Sequence, residues 1–224
     1  EVRLNYNESP YGPSQAAREA MQRGIATSGR YPYNHMYALA GLFAQQQGIA
    51  EEQVAVFAGS MAALRYAVLA FTSETRGLVM ATPSYEVPHQ AAQANKAAVK
   101  EVSLNADHAH DIPAMLAADP QAGMLYLCNP NNPTGTVTPV DAIRHALTNK
   151  PKGSVLVVDE AYIDFADVPH ALTINPVGQS GVPFDKHYGD QAETYIEGGY
   201  EQAHFSDEEV TANTRGTLKL LPAR

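Results

Sequence analysis

The sequence predicts an α/β fold with a mostly parallel β-sheet that is covered by helices on both faces. Short apolar runs, such as Met124–Cys128 and residues 154–158, alternate along the chain with segments of helical periodicity. Continuously apolar strands are typical of parallel sheets that are buried on both sides. In addition, polar motifs follow the carboxyl ends of several of these runs, which is where ligands bind in open parallel sheets.

Helix signals bound the first two predicted helices. Ser14 suits the N-cap of a helix that ends near Gly24, because a serine hydroxyl accepts a hydrogen bond from a first-turn N–H group and glycine suits the turn after the helix. A second helical pattern, through Met36 and Phe43, ends at Gly48.

Strands and helices then alternate. A short apolar strand at residues 54–57 leads through Gly59 and Ser60 into an alanine-rich helix that ends near Phe71. The predicted elements that follow are a strand at 77–81, a helix at 87–93, a strand at 97–103, a short helix, the strand Met124–Cys128, another helix and a strand at 154–158.

Two of these later helices have clear starting signals. Asp111 precedes one of them, with Pro113 in its first turn. For the other, Thr138 is expected to cap the helix, Pro139 suits its first position, and Asp141 lies at the positive end of the helix dipole.

Composition and charge exclude some classes of protein. The 224 residues carry 15 Lys and Arg against 24 Asp and Glu, a net charge of −9. An acidic chain without a basic run argues against a nucleic-acid partner, and no apolar stretch approaches the length of a membrane span. Cys128 is the single cysteine, which rules out an intramolecular disulfide and suits a reducing compartment such as the cytoplasm.

Candidate binding residues follow the predicted strands. Gly59-Ser60-Met61 joins a strand to a helix, as a phosphate cradle does. Tyr85 follows the strand at 77–81, and Asn132 lies in the loop after Met124–Cys128. Asp159 and Tyr162 leave the strand at 154–158 three residues apart.

These residue types match the needs of pyridoxal phosphate (PLP). A buried carboxylate keeps the pyridine nitrogen protonated, so that the ring remains an electron sink. Backbone N–H groups at a helix start bind the phosphate. An aromatic side chain stacks on the ring, and tyrosine and asparagine side chains donate to the phenolic oxygen.

The motifs also resemble a known family. Asn129-Pro-Asn-Asn-Pro-Thr-Gly135, followed by Val158-Asp-Glu-Ala-Tyr162, is similar to class I/II aminotransferases of PLP fold type I. The opening Leu4-Asn-Tyr-Asn-Glu-Ser-Pro-Tyr-Gly-Pro-Ser14, with Arg30-Tyr31-Pro32, resembles the histidinol-phosphate aminotransferase branch. The resemblance covers about residues 1–167 and implies an incomplete PLP-transferase large domain.

The resemblance implies a role for each residue around the cofactor ring. Asp159 would pair with the pyridine nitrogen, and Tyr162 and Asn132 would hydrogen-bond the phenolic oxygen. Tyr85 would stack on the ring. The reaction implied is transfer of an amino group from a small-molecule amino donor to a 2-oxo acid, with histidinol phosphate and imidazole-acetol phosphate as the favoured pair.

The resemblance also implies residues for the phosphate and the substrate. Gly59, Ser60 and Met61 would form the phosphate cup, although Met61 replaces an acidic residue of this branch. Tyr31 would reach the phosphate of the neighbouring subunit in a homodimer. Tyr11 would help to close the substrate pocket.

Each motif also has an ordinary structural interpretation. The Gly59 turn, the 129–135 loop and the tyrosines would serve equally as turns, caps and packing if each stood alone. His108 and His110, in a predicted loop, favour a solvated surface over a metal site. Cys128 is predicted to be a small buried hydrophobic residue rather than a nucleophile.

The pattern fails at the Schiff-base lysine. This family carries that lysine some tens of residues after the aspartate–tyrosine motif, in a Ser-Lys context with an arginine close behind. Only Lys186 and Lys219 follow Tyr162, and neither is preceded by serine. The small C-terminal domain of the family is also missing from the sequence. We therefore expect PLP binding that is non-covalent at most.

The C-terminal part of the sequence resembles a different family from the rest of the chain. Asn175-Pro-Val-Gly-Gln-Ser-Gly181 and Asp185-Lys-His-Tyr-Gly-Asp-Gln191 resemble the C-terminal tail of penicillin-acylase-type N-terminal-nucleophile hydrolases. We therefore place a boundary at residues 167/168, with an unrelated tail over 168–224; a divergent aminotransferase tail is the alternative. The open hypotheses are a PLP aminotransferase lineage, a non-catalytic or chimeric fragment, and an acylase-related amide hydrolase fragment without its nucleophile.

Overall fold

The computed structural model describes residues 7–8, 11–31 and 33–167, and the backbone of two further strands at 192–198 and 216–222. The helices are α1 Gln15–Ile25, α2 Tyr33–Gln47, α3 Ser60–Phe71, α4 Val87–Ala94, α5 Ile112–Ala118 and α6 Val140–Asn149. The strands are β1 Val54–Val56, β2 Leu78–Thr82, β3 Val99–Ser103, β4 Met124–Cys128, β5 Val155–Asp159, β6 Ala192–Gly198 and β7 Gly216–Pro222.

These strands form a sheet in the order β1-β7-β6-β5-β4-β2-β3. Strands β3, β2, β4, β5 and β6 run parallel to one another, and β7 runs antiparallel to both β6 and β1. In register, Leu125 lies opposite Val79 on one side and Leu156 on the other. The predicted mostly parallel sheet is confirmed.

The central strands are buried on both faces, because alternate side chains point to opposite sides. On one face, residues such as Met80, Tyr126 and Val157 pack against α3 and α4. On the other, residues such as Leu125 and Leu156 pack against α5 and α6. Helices therefore cover both faces, as predicted, and the polar ends of the strands are left for the site.

Helix capping agrees with the sequence at two helices and differs at a third. The Ser14 hydroxyl accepts from the N–H of Ala17 at 3.2 Å, and Asp111 caps α5. The expected cap by Thr138 is wrong: α6 follows Pro139, and the Thr138 hydroxyl lies 2.8 Å from His110 Nδ1 instead.

His110 corrects a second expectation. Its side chain is buried, with 4% exposed, whereas the sequence favours a solvated loop. Burial lowers its pKa to about 4, so the imidazole is neutral at physiological pH. Its Nε2 atom has no hydrogen-bond partner among the described residues. The part of the chain that the structure describes contains no cluster of three His, Cys, Asp or Glu side chains able to hold a metal.

The tail contributes backbone to the same sheet. β6 pairs with β5 in parallel orientation, and β7 lies between β6 and β1 and pairs with β1 in antiparallel orientation. The predicted boundary at 167/168 and the acylase-like motifs at 175–191 border on or lie outside the described residues, so both stay predictions. Within the described residues, no helix has the length and apolar character needed to cross a membrane.

Candidate functional site

The candidate site lies where the carboxyl ends of β2, β4 and β5 meet. The chain proceeds from β2 outward to β3, then returns across β2 to β4 and continues in the opposite direction to β5. A crevice forms where the winding direction reverses, at the carboxyl ends of the strands, and such crevices bind ligands in open α/β sheets. The motifs predicted from the sequence leave these strand ends.

Hydrogen bonds fix the loops after β2 and β4 to one another. The Ser84 hydroxyl donates to Asn131 Oδ1 at 2.7 Å, and Asn131 Nδ2 donates to the carbonyl of Pro83 at 3.1 Å. The N–H of Asn129 donates to the carbonyl of Asp159 at 2.8 Å. Asn131 is therefore used as an internal brace, while Asn132, the predicted binding residue, is half-buried and faces a cavity.

Asp159 ends β5 with its carboxylate buried, since only 2% of the residue is exposed. Oδ2 accepts from the hydroxyl of Tyr126 at 2.9 Å, and Oδ1 accepts from the N–H of Ala161 at 3.1 Å. Burial raises the pKa of Asp159 to about 6, the two donors oppose that shift, and the charge of Glu160 adds to it. Both of these donors are neutral, so neither supplies a positive charge to the buried carboxylate.

Tyr85 and Cys128 lie within the electrostatic reach of Asp159. Tyr85 is half-buried, and its pKa is raised by burial first and then by the negative charge of Asp159. Burial also raises the pKa of the Cys128 thiol, with a further contribution from Asp159, and that thiol donates to the carbonyl of Pro130 at 3.4 Å. The prediction that Cys128 is a buried small residue is confirmed.

A cavity of about 440 Å³ adjoins this edge of the sheet and is lined by both Asn132 and Tyr162. Asn7, from the opening segment, also lines it and donates from Nδ2 to the Tyr162 hydroxyl at 3.0 Å. Glu8 and Phe165 also line the cavity. Two of the predicted ring-binding residues thus share one cavity with a segment distant in sequence.

The predicted phosphate cup lies at the start of α3. Gly59 has a φ of +82°, which favours glycine, and it precedes the helix without any side-chain cap. The first-turn N–H groups of a helix are orphan donors, so this turn is able to accept an anion. Ser60 is half-buried and Met61 is exposed, and neither residue lines the cavity that contains Asn132.

Tyr31 and Tyr11 lie on the surface of the single chain. Tyr31 is 84% exposed and stacks against Tyr33 with the ring centroids 5.6 Å apart. Tyr11 is 90% exposed. The structure therefore does not bring these two predicted residues into the cavity of the same chain.

The lysines with described side chains lie away from this edge of the sheet. Lys150 donates to the carbonyl of Ser154 before β5 begins, at the opposite edge from Asp159. The other described lysine side chains are those of Lys96, Lys100 and Lys152. Lys186 lies outside the described residues, and only the backbone of Lys219, in β7, is described.

Sequence reasoning missed Tyr126 and Asn7. A signal for Tyr126 was present, because residues 126 and 128 of a strand share one face, and a buried tyrosine hydroxyl usually finds a partner. The register places Cys128 opposite Asp159, which brings Tyr126 onto the same face as the carboxylate. No local pattern indicates the contact between Asn7 and Tyr162, which are 155 residues apart.

Comparison with known proteins gives a family match over most of the chain. Residues 1–188 match the family of class I and II aminotransferases, so the match extends past the predicted boundary at residue 167. A histidinol-phosphate aminotransferase of Bacillus thuringiensis subsp. konkukian is 34% identical over 177 residues, 77% of this chain and 48% of the relative. An aromatic amino acid aminotransferase of Rhodococcus jostii is 33% identical over 165 residues, 73% of this chain and 46% of the relative.

The fold is similar to solved structures as well. A histidinol-phosphate aminotransferase from Sinorhizobium meliloti, solved in complex with pyridoxal-5'-phosphate, aligns with a TM-score of 0.73 at 21% identity. The alignment covers 96% of this chain and 54% of that one. The chain thus spans about half the length of the relatives that it matches.

Proposed function

Because this chain belongs to the class I and II aminotransferase family, we propose that it binds PLP at the carboxyl edge of its sheet and derives from the histidinol-phosphate aminotransferase lineage. One observation carries the proposal: among the described residues, a buried carboxylate at the end of β5 accepts hydrogen bonds from two neutral donors, the Tyr126 hydroxyl and the Ala161 N–H. A cavity lined by Asn132 and Tyr162 lies at the same edge.

Asp159 would hold the pyridine nitrogen. At neutral pH its carboxylate is ionised, because a pKa of about 6 still lies below 7. Burial makes that charge costly, and a protonated ring nitrogen beside it would offset the cost. When bound, PLP supplies a protonated ring that withdraws electrons from the reacting carbon. The task of Asp159 is to keep that ring proton in place.

Tyr162 and Asn132 would orient the ring through its phenolic oxygen. The hydroxyl of Tyr162 already accepts from Asn7, so its own proton is directed away from that amide. The Asn132 amide, which lines the same cavity, would supply a second donor. Tyr85 would cover one face of the ring, a position supported by the effect of Asp159 on its pKa.

The phosphate would bind at the first turn of α3, where Gly59, Ser60 and Met61 present backbone N–H groups. Tyr31 would contact the phosphate of a second copy of the chain, and Tyr11 would help to close the substrate pocket. The exposure of both tyrosines in the single chain is compatible with roles completed in a homodimer.

The proposed substrates are a small-molecule amino donor and a 2-oxo acid. The names of relatives support both histidinol phosphate and aromatic amino acids as donors, at 34% and 33% identity. The opening motif, which resembles the histidinol-phosphate branch, favours the first of these.

We do not expect the cofactor to be attached covalently to this chain. The lysines with described side chains lie away from the strand ends that carry Asp159, and neither Lys186 nor Lys219 has the serine context of the family. We propose that PLP binds non-covalently at most. A chain of this kind would bind the cofactor without completing transamination, which keeps the non-catalytic alternative open.

The experiment is a calorimetric titration of PLP into the intact chain, followed by borohydride reduction and peptide mapping. We expect saturable binding that is strongly weakened in Asp159→Ala, with no lysine modified after reduction. Asp119→Asn, a change at the opposite edge of the sheet, serves as the control and should bind as the wild type does. Absence of binding would refute the cofactor site, and a modified lysine would refute the non-covalent proposal.

The origin of the tail remains a separate proposal. A boundary near 167/168, followed by a segment akin to the acylase tail, rests on the sequence motifs alone, and the family match to residue 188 lends it no support. Hydrolysis of a phenylacetylated amide by the purified chain would favour the acylase alternative. Its absence, together with PLP binding, would favour a divergent aminotransferase tail or a non-catalytic fragment.

A further inference from the structure

Tyr126 lies in the middle of β4 with its side chain fully buried. Its hydroxyl is 2.9 Å from Asp159 Oδ2, across a separation of 33 residues. The register pairs Tyr126 with Val157 and Cys128 with Asp159 on the neighbouring strand. Tyr126 therefore reaches the carboxylate along the sheet face, from a position that water does not reach.

We propose that Tyr126 is a positioning residue that fixes the plane of the Asp159 carboxylate and sets how readily this carboxylate takes up a proton. The relevance of this role to a bound cofactor rests on the proposed function. The contact itself is a property of the cofactor-free chain and is testable without PLP.

The geometry explains the positioning. Asp159 Oδ1 is held by the backbone N–H of Ala161, and Oδ2 is held by Tyr126. One donor on each oxygen fixes the rotation of the carboxylate about its side-chain torsion. Each oxygen keeps further acceptor capacity, so the fixed carboxylate is still able to meet a protonated ring nitrogen at the strand end.

The electrostatic surroundings define the direction of the hydrogen bond. Burial raises the pKa of Tyr126 first, and the charge of Asp159 raises it further, so Tyr126 stays protonated and donates. Within the described part of the chain, the other titratable groups that interact electrostatically with Asp159 are Glu160, Tyr85 and Cys128, and none of these three is a cation. The hydrogen bond from Tyr126 lowers the pKa of Asp159 and so counteracts the effect of burial.

The test measures the pKa of Asp159 directly, by following its side-chain carboxyl carbon by NMR in the cofactor-free protein as pH is varied. In Tyr126→Phe, which removes only the hydroxyl, we expect the pKa of Asp159 to rise by about one unit or more, the size expected for loss of a hydrogen bond to a charged group. Tyr85→Phe, which removes a nearby hydroxyl, is the matched control and should produce a smaller shift.

A second variant replaces Tyr126 with 3-fluorotyrosine, a stronger donor of nearly the same shape. We expect the pKa of Asp159 to fall in this protein, opposite to its rise in Tyr126→Phe. This variant also covers the case in which Tyr126→Phe does not fold. A merely structural role for the tyrosine would not produce shifts of opposite sign, and an unchanged pKa in the fluorotyrosine protein would overturn the inference.

A PLP titration of the wild-type chain separates this inference from the proposed function. If the wild type does not bind PLP but the pKa of Asp159 shifts as expected, the proposed function fails and the role of Tyr126 stands. If PLP binds and the pKa of Asp159 is the same in all the proteins, the role of Tyr126 fails and the proposed function stands.

Discussion

The buried carboxylate of Asp159 makes the stability of the cofactor-free protein depend on pH in the direction opposite to that of a salt-bridged aspartate. Its pKa rises from an ordinary value of 3.8 to about 6 on folding. A group whose pKa is higher in the folded state stabilises the fold below its unfolded pKa, and that contribution is lost as pH rises through the folded pKa. Asp159 thus favours the folded state in acid and opposes it at neutral pH.

The size of the effect follows from the difference in pKa. A difference of about 2 units, at about 1.4 kcal/mol per unit, corresponds to about 3 kcal/mol in total, of which about 2 kcal/mol is lost between pH 4 and pH 7. Asp159→Asn removes the titration but keeps an oxygen that is able to accept from Ala161. Any packing cost of the substitution is independent of pH, so the pH dependence of the difference isolates the carboxylate.

The assay is urea denaturation of both proteins at fixed salt and without PLP, from pH 4 to pH 7.5. We expect the free energy of unfolding of Asp159→Asn, minus that of the wild type, to increase by about 2 kcal/mol over this range. Asp119→Asn, at the opposite edge of the sheet, should not reproduce the increase. A difference that stays constant from pH 4 to pH 7.5 would show that Asp159 is not a desolvated carboxylate, and the reasoning would fail.

Three further predictions concern other buried or half-buried groups. Folding lowers the pKa of His110 to about 4, so its contribution to stability is present above pH 6.5 and is lost as pH falls. His110→Gln, which keeps a partner for Thr138, should therefore lose about 3 kcal/mol less stability than the wild type between pH 7.5 and pH 4 in the same urea series. An equal loss of stability in both proteins would contradict the burial of a neutral imidazole. Tyr85→Ala should weaken PLP binding about threefold to tenfold by calorimetry, from loss of ring stacking worth about 1 kcal/mol, whereas unchanged affinity would remove Tyr85 from the ring site. The Cys128 thiol should react with iodoacetamide only after unfolding in urea, because its pKa is raised by burial, and fast labelling of the native protein would disprove that environment.

The features that the sequence predicts well are those decided locally. Ser14 and Asp111 begin their helices as expected, because a cap and its N–H partner lie three residues apart. Gly48 follows α2 with a φ of +65°, as its position after the helical pattern predicts. The sequence also predicts that Asn132, Tyr162 and Asp159 lie at the same edge of the sheet, since the carboxyl ends of neighbouring parallel strands meet there.

The features that the sequence misses depend on partners distant in the chain. Thr138 has the composition of a helix cap, but its hydroxyl is taken by His110, 28 residues away. The same contact buries a histidine that a local pattern assigns to a solvated loop. Tyr126 looks like an ordinary strand residue until the register of β4 and β5 brings it to Asp159.

The most direct test of the central claim is the protonation state of the ring nitrogen of bound PLP. ¹⁵N-labelled PLP would be added to the wild-type chain and to Asp159→Asn, and its nitrogen resonance recorded at a pH at which the ring of the free cofactor is unprotonated. We predict a protonated ring nitrogen in the wild type and an unprotonated one, or no bound cofactor, in Asp159→Asn. An unprotonated ring nitrogen in the wild-type complex, or equal protonation in both proteins, would contradict the assignment of Asp159 as the ring-binding carboxylate.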